Sequence, residues 1–264
     1  MNLSFNYLYP SKDELIKIRK QIYHSEGSGF YIFKNFLPKN YVKHINKFWF
    51  DEAINDINIK KFKTKKEIFF GCPNYIYSSN TSNPNKNTIF YNFLWNNPSD
   101  QLTHDLSIQI LILRNIIMSK SISNNFFEKS SQFQSTYRIV RTLNSENIVP
   151  FHKDWNSHPY IDPSALQATL FLSKNGKDYK GKGFSIENNK GKMQFFDTDL
   201  RNSIEEGDLM FWKYNNLHGI SDKITSINSV GFTRMIFPVE ILSKRGFIEN
   251  IKKPLKLLYK KIIN

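Results

Sequence analysis

The chain has 264 residues and a single cysteine, Cys72. One thiol excludes an intrachain disulfide, argues against a thiolate-based zinc site and points to a reducing compartment. No stretch reaches the roughly 18 apolar residues that a spanning helix needs. The opening MNLSFNYLYPSKDELIKIRK has no basic segment leading into an unbroken apolar core, so it does not read as a secretory signal. These absences predict a soluble, cytoplasmic protein. Internal repeats and Pro/Gly-rich linkers are also lacking, which predicts one domain over residues 1–264.

Acidic residues are in deficit, 23 against 37 Lys and Arg, and the net charge is +14. Much of the excess sits in LSKRGFIENIKKPLKLLYKKIIN, which carries seven basic residues and one Glu. Such a tail suits an anionic surface. The plainer alternative is a short helix from about Pro254 that packs Leu255, Leu258 and Ile262 on the body and leaves its lysines in water. No interleaving of basic and aromatic residues marks a nucleic-acid face, so no nucleic-acid partner is expected. The oligomeric state leaves no trace in the sequence.

What is present is enough apolar and aromatic material for a substantial core, 40% and 15% of residues. SKDELIKIRKQIYHSEG pairs Ser11 with Glu14 in a capping-box spacing and places Leu15, Ile18 and Ile22 on one helical face. GFYIFKNF reads as a strand, and LPKNYVKHINKFWFDEAINDI as a second helix. The polar YSSNTSNPNKN reads as a loop, with residues 78–87 a candidate lid. A third helix is predicted from about Asp100 to Met118. After about Gln132 the pattern changes to short runs rich in β-branched and aromatic residues: FQSTYRIVRTL, ALQATLFLS, GFSIEN, KMQFF, GDLMFWKY and GFTRMIFPVE. Such spacing predicts a sandwich or barrel. The expected architecture is α+β. A double-stranded β-helix (jelly-roll or cupin-like) core covers 132–240, buttressed by a mostly helical 1–131 with one early strand and followed by a basic helical tail, 241–264.

The chemistry concentrates in VPFHKDW, residues 149–155. On an extended strand His152 and Asp154 would share a face; they are either two ligands of one ion or two polar residues at a strand end. A third donor exists in EEGDLMFWKYNNLHGISDK, where His218 follows a strand and a short turn. Two imidazoles and one carboxylate match the facial triad of non-haem Fe(II) enzymes, which leaves metal positions open. Arg234, in the strand-like GFTRMIFPVE, lies 16 residues beyond His218. Pointing inward, its guanidinium requires an anion, and a carboxylate fits the planar fork. Pointing outward, it is a surface residue.

The order HxD, distal His and strand Arg resembles the Fe(II)- and 2-oxoglutarate-dependent dioxygenase superfamily over roughly residues 132–240. ALQATLFLSKNGKDYKGKGFSIEN and the early GFYIFKNFLPKNYVKHI look like its phytanoyl-CoA dioxygenase-like and prolyl hydroxylase-like branches. The resemblance implies Fe(II) held by His152, Asp154 and His218. It implies 2-oxoglutarate held by Arg234 with Thr169 and Tyr137 as further partners, and O2 as the other co-substrate. Decarboxylation to succinate and CO2 would then drive hydroxylation of an unactivated C–H bond. Halogenating relatives replace the carboxylate with a small residue, so Asp154 favours hydroxylation or desaturation. The step of 16 is long for the resemblance, and a register shift in SDKITSINSV would turn Arg234 outward, leaving Arg138 and Arg141 as backups. Arg141, Trp155 and His158 are the candidate substrate contacts.

The basic balance favours a small anionic substrate. The alternatives are a peptide or protein side-chain hydroxylase of prolyl hydroxylase type and a non-enzymatic metal-binding jelly roll.

Overall fold

The computed structural model describes residues 9–55, 60–62, 75–78, 87–94, 97–120, 136–145, 149–157, 162–196, 203–220 and 223–238. Cys72, residues 79–86 of the candidate lid, His158 and the whole basic tail lie outside the described residues. In chain order the first elements are α1 (Lys12–Tyr23), β1 (Phe30–Phe33), α2 (Lys39–Lys47), β2 (Lys60–Phe62), β3 (Tyr75–Ser78), β4 (Asn87–Phe93) and α3 (Gln101–Ile117). The second half supplies β5 (Thr136–Thr142), β6 (Asn144–Ser145), β7 (Val149–His152), the short α4 (Asp154–Ser157), β8 (Leu166–Phe171) and β9 (Tyr179–Lys180). It ends with β10 (Phe184–Glu187), β11 (Met193–Phe195), β12 (Leu209–Lys213), β13 (His218–Ile220), β14 (Ile224–Ser226) and β15 (Phe232–Phe237).

The helices form where the local signals put them. Ser11 Oγ accepts from Glu14 N while the Glu14 carboxylate accepts from Ser11 N, so the expected capping box closes at α1. Asp100 caps α3 by accepting from Thr103 N at 3.0 Å. Arg19 of α1 donates to the carbonyls of Ile116 and Ile117 at the end of α3, at 2.8 and 2.9 Å. That fork satisfies acceptors the helix cannot. The second predicted helix is shorter than its apolar pattern: α2 stops at Lys47 and continues as a π-helical turn, Phe48–Glu52.

An eight-stranded sheet, in the order β1-β12-β8-β15-β5-β4-β3-β2, faces a four-stranded one, β11-β10-β13-β7; a small third sheet joins β6, β14 and β9. Every pairing is antiparallel except β2 with β3. Among the described residues, the first half thus contributes four strands rather than one. Its NTIFYNF, between polar runs, becomes β4 because it pairs along its whole length with β5.

Strand alternation sorts the large sheet into two faces. Leu166, Ala168, Leu170, Leu209, Phe211, Tyr137, Ile139, Met235 and Phe237 pack outward with Ile18, Val42, Ile45 and Leu106 of the helices. Phe171, Met210, Trp212 and Phe232 face inward against Phe184, Ile186 and Ile220 of the small sheet. A second apolar layer therefore lies between the two sheets.

Asp208 ties the helical layer to this framework. Fully buried at the start of β12, its carboxylate accepts from Lys34 Nζ and from the amides of Asn35 and Glu205, both at 2.8 Å. Removing it takes the acceptor from the part-buried amides of Asn35 and Glu205 and leaves a void where the buried carboxylate was. Asp208→Ala is expected to cost about 2–4 kcal/mol, read as a lower denaturant midpoint with an unchanged slope.

Candidate metal centre

His152 and His218 are 66 residues apart in sequence and directly opposite each other in space. They pair across the ladder between β7 and β13, and their ring centroids lie 4.7 Å apart. Asp154 follows the end of β7 at the start of α4. It reaches the histidines because the chain turns after His152, not through the strand alternation expected of HxD. Its Oδ1 lies 3.3 Å from His152 Nε2, and its Oδ2 lies 3.4 Å from His218 Nε2. Potential ligand atoms of all three residues fall within 4.8 Å of one another, the one such His/Cys/Asp/Glu group among the described residues.

Each imidazole is oriented from behind. His152 Nδ1 lies 2.8 Å from the carbonyl of Pro150, and His218 Nδ1 lies 2.9 Å from that of Asn216. A carbonyl can only accept, so each ring donates from Nδ1, and in its neutral form it turns the Nε2 lone pair toward Asp154. Asn216 is anchored in turn, its amide donating to the carbonyls of Gly29 and Glu187. Against the His218 ring pack Trp212, at 5.5 Å between centroids, and Phe184, at 6.0 Å. His218 is buried, whereas His152 is half-exposed.

Two lone pairs and a carboxylate facing one another repel unless a cation sits among them. A proton on one Nε2 is the minimal solution. The hydrogen bond to Asp154 accordingly raises the His152 pKa above its ordinary value, against the effect of burial. Burial would push the Asp154 carboxyl up, but hydrogen bonds from His152, His218 and Gln167 hold it well below the usual carboxylate range. A divalent first-row ion is the other solution, and two imidazole nitrogens with one carboxylate oxygen are a donor set it prefers. The residues fit a metal.

Gln167 is a site residue without a sequence signal. It is buried on β8 and donates Nε2–H to Asp154 Oδ2 at 2.6 Å. Trp212, its cross-strand partner on β12, was equally silent. Only the alternation of ALQATLFLS and GDLMFWKY, once paired in register, puts both on the inner face.

Arg234 points inward. It shares its face of β15 with Phe232, whose ring lies 4.6 Å from the guanidinium carbon. Arg234 is 5% exposed, its Nη1 has no hydrogen-bond partner among the described residues, and burial lowers its pKa to about 10. Arg234 keeps its inward register, and Ile224–Ser226 in the preceding segment forms β14, which pairs with β6 and β9. Gly231, at φ 63°, then makes the turn into β15. Thr169 is buried on the same inner face, between Gln167 and Phe171 along β8.

Two expectations fail on strand alternation. Tyr137 packs into the helix-side core, where burial raises its phenol pKa, so it turns away from the keto-acid side. Arg141 also faces the helices, 4.7 Å over the Phe50 ring, away from the face that carries Arg234. Arg138 takes the inner face instead, opposite Ile236 and over the Tyr91 ring at 4.8 Å. The side chain of Trp155 and all of His158 lie outside the described residues. His104 and Asp105, with side-chain atoms 3.7 Å apart, converge on no third ligand among the described residues.

No protein-family model matches the chain, and no curated protein does. Solved structures do. A prolyl-4-hydroxylase from Pseudomonas putida is similar at TM-score 0.45 and 12% identity, over 86% of this chain and 99% of the other. The auxin-oxidising dioxygenase of Arabidopsis thaliana, solved with 2-oxoglutarate, is similar at TM-score 0.47 and 14% identity, over 88% and 90%. An oxidoreductase of the 2OG-Fe(II) oxygenase family from Burkholderia pseudomallei is similar at TM-score 0.42 and 12% identity, over 87% and 91%. These are distant likenesses, and the functional reading stands on the site's own residues. No helix among the described residues is long and apolar enough to cross a membrane.

Metal must displace the proton that the His152–Asp154 pair favours. Apparent affinity is therefore expected to fall as pH drops through the raised His152 pKa, by about tenfold per unit for each proton displaced. Titration of the apo protein with Co(II) across pH 5.5–8.0 (a window of about two units around the ordinary His value) measures it. His152→Ala and His218→Ala should each abolish stoichiometric binding.

Proposed function

We propose that the chain is a non-haem Fe(II)- and 2-oxoglutarate-dependent oxygenase. It would hydroxylate a C–H bond of a small, anionic molecule, with O2 consumed and succinate and CO2 released. The observation that carries this reading is the pairing of two unmet demands on one interior. A cation is required among His152, Asp154 and His218, and an anion is required at Arg234. A structural metal site would account for the first alone.

His152, Asp154 and His218 would hold Fe(II), which, with keto acid and O2 bound, supplies the C–H oxidation. Arg234 would pair with the distal carboxylate of 2-oxoglutarate, a fork meeting a planar anion. Along β8 the rung of Gln167, bonded to Asp154, and the rung of Phe171, beside Arg234, are four residues apart. That is about 13 Å of strand, which side chains at both ends shorten toward the span of a short dicarboxylate. Thr169, midway, offers a hydroxyl to the same ligand. Trp212, Phe184 and Phe232 exclude water from the interior, which strengthens both charge interactions.

The same reading makes the two facing sheets a double-stranded β-helix, completed by strands from the first half. The triad carboxylate favours hydroxylation or desaturation over halogen transfer. The chain's net charge and the inward Arg138 support an anionic substrate.

Anaerobic addition of Fe(II) and then 2-oxoglutarate should produce a weak visible charge-transfer band, and turnover in air should release succinate. Arg234→Met is expected to keep Fe(II) binding while weakening 2-oxoglutarate roughly 30-fold or more. A wild-type protein that binds Fe(II) yet gives no band and no succinate would overturn the oxygenase assignment and leave a metal-binding protein.

A further inference from the structure

Each oxygen of Asp154 lies near one histidine, at 3.3 and 3.4 Å, so the imidazoles do not distinguish them. Gln167 does. It is 3% exposed, its amide donates to Oδ2 at 2.6 Å, and Oδ1 receives no such donor from it. We propose that Gln167 is a positioning residue that commits Oδ2 of Asp154, so that the carboxylate offers a metal ion one oxygen rather than two. The inference rests on the metal-site reading and is independent of the identity of the organic co-substrate.

The consequence is a count of coordination positions. A carboxylate can bind a cation through one oxygen or both. Two imidazoles and a one-oxygen carboxylate leave three positions of an octahedron open, whereas a two-oxygen carboxylate takes one of them. A hydrogen bond in a buried setting has no water competing for either partner, so removing it frees Oδ2 to swing toward the metal.

Gln167 is itself held in place. It sits in the six-residue β8, every residue of which is buried, and it pairs across the ladder with Trp212. Trp212 packs against His218. One rung of the large sheet thus touches two of the three ligands: it donates to one and supports the ring of another. Outer partners of this kind are worth about ten- to a hundredfold in metal affinity.

Wild type, Gln167→Met and Gln167→Glu would be titrated with Co(II) alone, with folding checked by far-UV circular dichroism and by melting of the apo protein. Wild type should bind one equivalent. Q167M should fold and bind Co(II) about ten- to a hundredfold more weakly, with d–d bands displaced from those of wild type. Q167E preserves length but replaces the donor with a second carboxylate. It should bind no more weakly than wild type and still show displaced bands. If Q167M does not fold, the bands of Q167E decide. Wild-type affinity and wild-type bands in the folded variants overturn the role of Gln167 alone. Failure of wild type to bind Co(II) overturns the metal-site reading and this inference with it.

Discussion

Pro150 and Asn216 each present a backbone carbonyl to the Nδ1 of a histidine two residues further on, and the behaviour of the site descends from that pair of hydrogen bonds. They fix the tautomer of both rings and aim two lone pairs at one carboxylate. The arrangement is unfavourable in itself, because three acceptors share a small volume. It persists because the surrounding fold over-determines it: the His152–His218 rung is set by sheet pairing, and the Asn216 turn is pinned to Gly29 and Glu187. A protein that needed only packing there would have no use for such a cluster. A cation resolves it.

The second constraint is the alternation of the large sheet. Every residue of β5, β8, β12 and β15 faces either the helices or the small sheet, and that choice decides its role. The helix-side face is almost wholly apolar. The inner face carries the polar exceptions, Gln167, Thr169, Arg138 and Arg234, interspersed with Phe171, Trp212 and Phe232. A buried guanidinium without a full set of acceptors costs several kcal/mol. Arg234 has apolar neighbours that could have been extended across its position. Its position in the interior, with Nη1 unpartnered among the described residues and the Phe232 ring beside it, suits an anionic group.

Much of this was legible in the sequence, and the reasons it was legible also mark where it stopped. The strands of the second half announced themselves through β-branched and aromatic runs between turn formers, α1 through its capping box, and α3 through the helical spacing of Leu102, Leu106, Ile110, Leu113 and Ile117. His152, Asp154 and His218 stood out because their residue types are scarce in apolar surroundings. β4 did not, because NTIFYNF lies beside a polar, proline-containing loop and gains its strand character from pairing with β5. Tyr137 and Arg141 were placed on the wrong face of their strand. Alternation links them to each other but does not say which side is inside, and that depends on where β15 and the helices pack. Gln167 was invisible for a different reason. A glutamine in a buried strand has no motif, and its function exists only through a contact with a residue thirteen positions away.

The two sheets divide the labour in a way that bears on how such a site can vary. The small sheet and the turn after it supply all three candidate ligands, while the large sheet supplies what orients or complements them: Gln167 against Asp154, Trp212 against His218, and Arg234 further along the same inner face. Ligand identity and ligand posture are thus encoded on different strands. Arg138, opposite Ile236 on the inward side of β5, lies on the same inner face. The His152–His218 rung and its two carbonyls set where the ligand atoms sit, and the inner face of the large sheet sets how they are held.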